Sequence, residues 1–342
     1  MKISDYSYEL PEERIAQFPP NVRGTSRLLV LNRENGAVSH KHYGDLVDFM
    51  EPGDVVVLNN TRVIKARLVA SNAKDQPREL LLLEDHGHTQ ARERRVIYRG
   101  KIRVGEQLRV GEAHITIMEI LGGGIAKISS DTDILELAER AGEVPLPPYM
   151  HRQANESDTQ RYQTIFADKA GSVAAPTASL NFTEALEQRL LEKGVLIAYL
   201  TLHVGLGTFL PIRADDIENH VMHSEYFEIP AQTVATIRGA KQKGRKILAV
   251  GTTVARTLEY AHKKILQTGA AIDLSGEADI FMYPGYSFKI VDELLTNFHA
   301  PKSTVLMLAA AFGGWKNLSH AYQLALADNY AFLSYGDSML II

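Results

Sequence analysis

Residues 220–227, "HVMHSEYF", place two histidines three apart, with a serine and a glutamate directly behind them. Imidazole and carboxylate are the groups that bind metals or move protons near neutral pH. On a helix, His220 and His223 would share a face. The preceding "ADDIENH" permits one, with Asp215 or Asp216 as its cap. That pair plus Glu225 would then form a metal-ligand set. The zinc-protease spacing H-E-x-x-H is not matched, and "EYFEIP" reads as a strand. A metal site, an acid–base or hydrogen-bonding site, and a structural junction all stay open here.

Four further segments have side chains suited to a ligand. "SVAAPTASLNF" (172–182) combines small residues with Pro176, Thr177, Ser179 and Asn181. Small side chains let backbone approach a ligand, and hydroxyls and amides both donate and accept; a tight loop before a helix explains the segment equally well. "LHVGLGTF" (202–209) carries His203, Gly205, Gly207 and Thr208 at a strand end. Glycines there expose backbone N–H groups, but Leu210 stands where a dinucleotide fingerprint needs its third glycine. "AVGTTVARTLE" (249–259) sets Thr252 and Thr253 at a helix start, which suits an anion or a simple N-cap. "LLTNFHAPKST" (294–304) groups Asn297, His299, Lys302, Ser303 and Thr304 ahead of an apolar run. Their order, alternating with apolar elements, predicts convergence on one edge around a large polar ligand.

The elements that must position them divide in two. The chain has 342 residues, 45% hydrophobic, enough for two domains. Residues 62–130 are short β-like runs separated by Gly or polar turns, without helical period, which indicates a small barrel or sandwich. "EVPLPPYM" (143–150) reads as an extended exit linker. The rest alternates α and β. Leu186, Leu190 and Leu191 mark one helix, capped by Thr183 and stopped by Gly194, and Val254, Leu258, Ala261 and Ile265 stripe another. Asn35-Gly36 between apolar runs signals a hairpin. The expected architecture is an α/β body, residues 1–62 and 149–342, carrying an inserted all-β, barrel-like domain over 63–148. In such a body, ligands bind at the C-terminal ends of the strands.

Composition narrows the partners. Cysteine is absent, which removes disulfides, zinc thiolates and thiol catalysis. No run of about eighteen apolar residues indicates a membrane span, and the N-terminus lacks a signal-peptide core; a cytoplasmic protein is expected. The net charge of −4 argues against a dedicated nucleic-acid scaffold. Yet Arg92, Arg94, Arg95, Arg99, Lys101, Arg103 and Arg109 face only Glu93 and Glu106 between them. Such a run is a solvated surface or a site that steers a polyanion.

From "YELPEERIAQFPP" and "RLLVLNR" through "PGDVVVLNNTRVIKARL", "VPLPPYM", "YQTIFA", "AAPTA", "HVGLGTF", "HSEYFEIP", "VGTTVARTLE", "NFHAPKST" and "SYGDSMLII", the chain resembles the S-adenosylmethionine:tRNA ribosyltransferase-isomerases of queuosine biosynthesis. The resemblance covers essentially the whole chain. It implies an α/β body with an inserted barrel. It also implies transfer and isomerisation of the ribosyl moiety of S-adenosylmethionine onto 7-aminomethyl-7-deazaguanine at the wobble position of a tRNA with a GUN anticodon. The products would be epoxyqueuosine-tRNA, adenine and methionine. S-adenosylmethionine would be a co-substrate, with no tightly bound cofactor, no metal and no membrane, and the protein would act as a monomer. Such chemistry needs a base at the carbon beside the sulfonium and an acid for adenine departure, for which His203, His223, Glu225 and His299 are the candidates. Methionine's carboxylate would suit N–H groups at Gly205–Thr208 or at Thr252–Thr253, with Arg256 one turn inside. The basic residues Arg92, Arg94, Arg95, Arg99, Lys101 and Arg103 become candidate contacts to the tRNA backbone.

The chain departs from the family pattern in places. After "AAPTA" the family has Gly-Leu-His-Phe, whereas Ser179-Leu180-Asn181-Phe182 stands here, and Ala331 replaces an expected arginine. An amide cannot transfer protons as imidazole does. These departures raise a second reading, a catalytically degenerate relative that binds tRNA or S-adenosylmethionine without turnover. A third is a different nucleoside-handling enzyme on the same scaffold.

Overall fold

The computed structural model describes residues 1–84, 91–205 and 216–342. After two 3-10 turns, Ile3–Asp5 and Glu12–Arg14, the chain forms a hairpin of β1 (Arg27–Leu31) and β2 (Val38–His42) around the Asn35-Gly36 turn, where Gly36 takes φ 75°. A 3-10 helix (Tyr43–Phe49) follows, then β3 (Val55–Asn59) and the short β4 (Thr61–Val63). Val55 and Val57 of β3 pack into one core, Val56 and Leu58 into another. That is why this strand is apolar throughout instead of alternating.

Six antiparallel strands then close a barrel: β5 (Arg67–Ser71), β6 (Pro77–Leu82), β7 (Glu93–Arg99), β8 (Gln107–Val110), β9 (Ala113–Gly122) and β10 (Ile125–Ser130). Alternate residues such as Leu68, Leu80, Val96, Ile115 and Ile128 fill its interior, as the two-residue strand period requires. Helix α1 (Ile134–Ala141), capped by Asp133, adds Ile134, Leu137 and Ala138 to the same core.

Back in the body come α2 (Glu156–Arg161), β11 (Lys169–Ser172), α3 (Glu184–Glu192), β12 (Leu196–Leu202), β13 (Glu225–Ile229), α4 (Ala231–Gln242), β14 (Ile247–Val250), α5 (Thr252–Leu266), β15 (Leu274–Ala278), β16 (Glu293–Asn297), α6 (Thr304–Gly313), α7 (Trp315–Ala327) and β17 (Ser338–Ile341). They build a nine-stranded sheet ordered β15-β13-β12-β3-β14-β16-β17-β1-β2. Its centre, β12-β3-β14-β16, is parallel, and antiparallel strands flank it. The α5 stripe Val254, Leu258, Ala261 and Ile265 is fully buried against one face. Thr183 caps α3 as its sequence suggests, but Leu191 is 54% exposed. Leu186 and Leu190 are four apart and share the buried face; the next residue turns about 100° away from it.

Expectation and structure also part at 215–223. The described stretch holds only a 3-10 turn, Ile217–Asn219, and irregular backbone from His220 to the start of β13. No helical face therefore joins His220 to His223. His220 packs edge-on against Phe281, while His223 is exposed.

Candidate functional site

A cavity of about 320 Å³ opens at the C-terminal edge of the parallel strands. Three segments converge on it: residues 174–178, the start of α5 behind β14, and residues 296–303 behind β16. Pro148 and Tyr149 from the exit linker, with Leu333 and Ser334, close one side.

Polar groups in this cavity are held by the protein itself. Thr177 Oγ1 donates to Asn297 Oδ1 at 2.8 Å, and Asn297 Nδ2 donates to the Asp337 carbonyl at 3.4 Å. His299 Nε2 sits 2.8 Å from Thr296 Oγ1, and the His299 backbone N–H donates to the Tyr322 hydroxyl. The imidazole keeps an edge on the cavity but is otherwise enclosed by protein. Desolvation pushes its pKa down to about 3, so it is neutral at working pH. Tyr149 shares a hydrogen bond with Ser334; burial pushes its phenol up to about 12, and it stays protonated.

Helix α5 begins at this wall without a side-chain cap: its N-cap is Gly251, at φ 100°. The Gly251 N–H donates to the Leu295 carbonyl at 2.8 Å, which pins the turn to β16. The first N–H groups of α5 have no intrahelical acceptor, and Thr252 and Thr253 line the cavity. By contrast, α6 is capped from within by Ser303, which accepts from the Leu306 N–H at 3.2 Å.

Pro176, Thr177, Thr252, Thr253, Asn297 and His299 are therefore brought together, whereas His203, Gly205, His223, Glu225, Arg256, Ser179 and Asn181 are not. Glu225 is 2% exposed and ion-paired to Arg256, itself 6% exposed. The Glu225 carboxylate also accepts the Gly205 N–H at 3.0 Å. The anion held by the Gly205 amide is thus the protein's own. Arg256 donates on to the carbonyls of Ala278 and His223 and lines a narrow side pocket that shares Thr252 and Thr253 with the main cavity. His203 lies behind the wall, toward the barrel, with Nδ1 2.7 Å from Thr61 Oγ1. Burial lowers its pKa, and Arg94 adds to this while Glu228 and Glu84 oppose it. A Cβ on Gly171 would stand 2.8 Å from His203 Nε2, so that glycine admits the ring.

Ser179 and Asn181 are buried outside the cavity lining, at 0% and 3% exposure. Gly207 and Thr208 lie outside the described residues. Among the basic residues, Arg92, Arg95, Arg99, Lys101 and Arg103 are exposed, whereas Arg94 is buried. Arg94 shares strand parity with Val96, which faces the barrel interior. Among the described residues no group of three His, Asp or Glu stands where it could hold a metal. Tyr149 and Ser334 were missed as site residues; Tyr149 looked like part of a proline linker, and nothing local marks its approach to Ser334, 185 positions away.

The family model described as "Queuosine biosynthesis protein" matches residues 3–341. The chain belongs to the queuosine biosynthesis protein family. Family relatives named S-adenosylmethionine:tRNA ribosyltransferase-isomerase, an enzyme name, include one from Pelodictyon phaeoclathratiforme, 54% identical over 100% of both chains. One from Francisella tularensis is 43% identical over the same full span. Among solved structures, S-adenosylmethionine tRNA ribosyltransferase from Thermotoga maritima covers 99% of this chain and 100% of its own, at 32% identity and a TM-score of 0.57. No helix among the described residues is long and apolar enough to cross a membrane.

Proposed function

We propose that the chain transfers and isomerises the ribosyl moiety of S-adenosylmethionine onto 7-aminomethyl-7-deazaguanine at the wobble position of a GUN-anticodon tRNA, releasing adenine and methionine. The observation that carries this reading is a cavity lined both by a neutral imidazole, His299, and by an uncapped helix start at Thr252–Thr253. The helix start suits the methionine carboxylate. A neutral imidazole suits removal of the proton beside the sulfonium. Protonating an isolated His299 in this site is costly. Taking the proton from a sulfonium cation leaves the total charge of the pair unchanged, so the low-dielectric surroundings oppose that transfer far less. Because the sulfonium acidifies its neighbouring carbon, the step needs no metal. The Tyr149–Ser334 hydroxyl pair lines the same cavity and supplies the proton donor for adenine departure.

In this proposal the barrel unit, residues 63–148, presents its exposed arginines and lysine to the tRNA backbone. The body, 1–62 and 149–342, receives the extruded base. The protein works in the cytoplasm as a monomer without a tightly bound cofactor. The departures at Ser179 and Asn181, which suggested a binding-only relative, fall on residues away from the cavity lining.

The deciding experiment incubates tRNA bearing 7-aminomethyl-7-deazaguanine with S-adenosylmethionine and chelator, following adenine release and the mass of the wobble nucleoside. Adenine with the epoxycyclopentyl mass is expected. Bound tRNA with neither change would select the binding-only reading. Turnover of free nucleosides without RNA would select the third.

A further inference from the structure

Residues 14–17 are hydrogen-bonded to two segments that line the cavity. Ala16 N–H donates to the Phe332 carbonyl and Phe332 N–H to the Arg14 carbonyl, next to the lining residues Leu333 and Ser334. Gln17 Nε2 donates to the carbonyl of Tyr149, another lining residue, at 3.3 Å. At the end of this segment Phe18 is 59% exposed, the one exposed phenylalanine among the described residues.

A single exposed apolar side chain is ordinary on a protein surface. This one differs in what lies beneath it and where it stands. The Arg152 guanidinium carbon is 4.2 Å from the ring centroid. Arg152 is itself clamped, with Nη1 and Nη2 2.6 and 2.8 Å from the carboxylate of Asp158, which is 1% exposed. Its Nε donates to the Gln17 carbonyl at 2.8 Å. Pro19 and Pro20 follow Phe18 and restrict the backbone behind it. The ring is therefore held from below by a fixed planar cation, at the end of a segment bonded to the cavity wall.

We infer that Phe18, supported by Arg152, is a stacking platform for the nucleobase next to the one that enters the cavity. This rests on the RNA substrate proposed above. Extruding one nucleoside leaves its neighbour with an uncovered face, and an exposed aromatic ring covers it. Arg152 acts as a positioning residue that orients the ring.

The test uses the full-length protein and an anticodon stem-loop RNA carrying the 7-aminomethyl-7-deazaguanine base. Phe18→Ala is expected to raise KM for the RNA about tenfold, with kcat, KM for S-adenosylmethionine and Tm close to wild type. Phe18→Trp in a Trp315→Phe background leaves one indole in the chain. It is expected to keep KM near that of its parent and to show fluorescence quenched on RNA binding. An unchanged KM in Phe18→Ala, or an unquenched indole at saturating RNA, overturns the inference while wild-type turnover leaves the proposed reaction standing. If wild type releases no adenine, the reaction fails, and quenching alone then decides the platform: present supports it, absent overturns it.

Discussion

At the scale of single residues, the site separates groups that meet a ligand from groups that hold other groups. Glu225 and Arg256 belong to the second kind. Together they fix the Gly205 amide and two carbonyls of neighbouring segments. Leaving either charge alone in that interior would be strongly unfavourable. His299, which lines the cavity, is proposed to belong to the first kind. His299→Ala is expected to lower kcat by about 10²–10⁴-fold while the protein stays folded, read as adenine release at saturating substrates. Its depressed pKa also links to stability. Unfolded, the imidazole titrates near 6.5; folded, it titrates at about 3. Between those values the unfolded chain binds the extra proton, so this contribution is complete above about pH 6.5 and is lost as pH falls toward 3. Denaturant unfolding from pH 7 to pH 4 should therefore show wild type losing stability faster than His299→Gln. No inflection in kcat should come from this histidine near 6.5.

At the scale of elements, the start of α5 is the feature with the clearest division of labour. Gly251 supplies the turn, β16 holds it through the Leu295 carbonyl, and the helix N–H groups are left to the cavity. Proline is tolerated at the first helical position because its missing N–H has no intrahelical partner. Gly251 has a ψ of 152°, within the range a residue before proline needs, and its φ of 100° is open to glycine. Thr252→Pro should thus keep the helix while deleting one donor. The expected outcome is a KM for S-adenosylmethionine raised about tenfold relative to Thr252→Ala, with little change in Tm. Equal KM values for the two variants would remove the helix start from the binding site.

At the scale of the whole molecule, the parallel centre of the sheet gathers the chemistry at one edge, and the barrel carries exposed positive charge on a chain of net charge −4. A side chain that binds a phosphate here releases counterions, so removing it is visible in salt dependence. Replacing Arg95, Arg99, Lys101 and Arg103 together by alanine should lower the slope of log affinity for tRNA against log salt by about one for each phosphate no longer neutralised. Replacing Arg94 should not follow that rule, because its charge is buried and acts on His203. A slope unchanged by the quadruple substitution would move the RNA away from this face of the barrel.

Much of this was open to reading in the amino-acid order because it depends on neighbours in the chain. Short β-like runs without helical period mark the barrel strands, the apolar run at Val55–Leu58 marks a buried strand, and Thr183 and Gly194 bound a helix. The polar segment at 297–304 likewise stands out as more than a cap needs, whereas 176–177 and 252–253 read equally well as a tight loop and a helix cap. What only the tertiary structure decided is which of those segments meet. His203, Glu225 and Arg256 carry the same reactive types as His299. The sheet order and the placement of the barrel turn His203 toward Thr61, and bind Glu225 to an arginine 31 positions away. Side-chain type and local period are properties of a few consecutive residues. Convergence is a property of how strands distant in sequence pair and which of their ends share an edge, and that is set by packing the whole core at once.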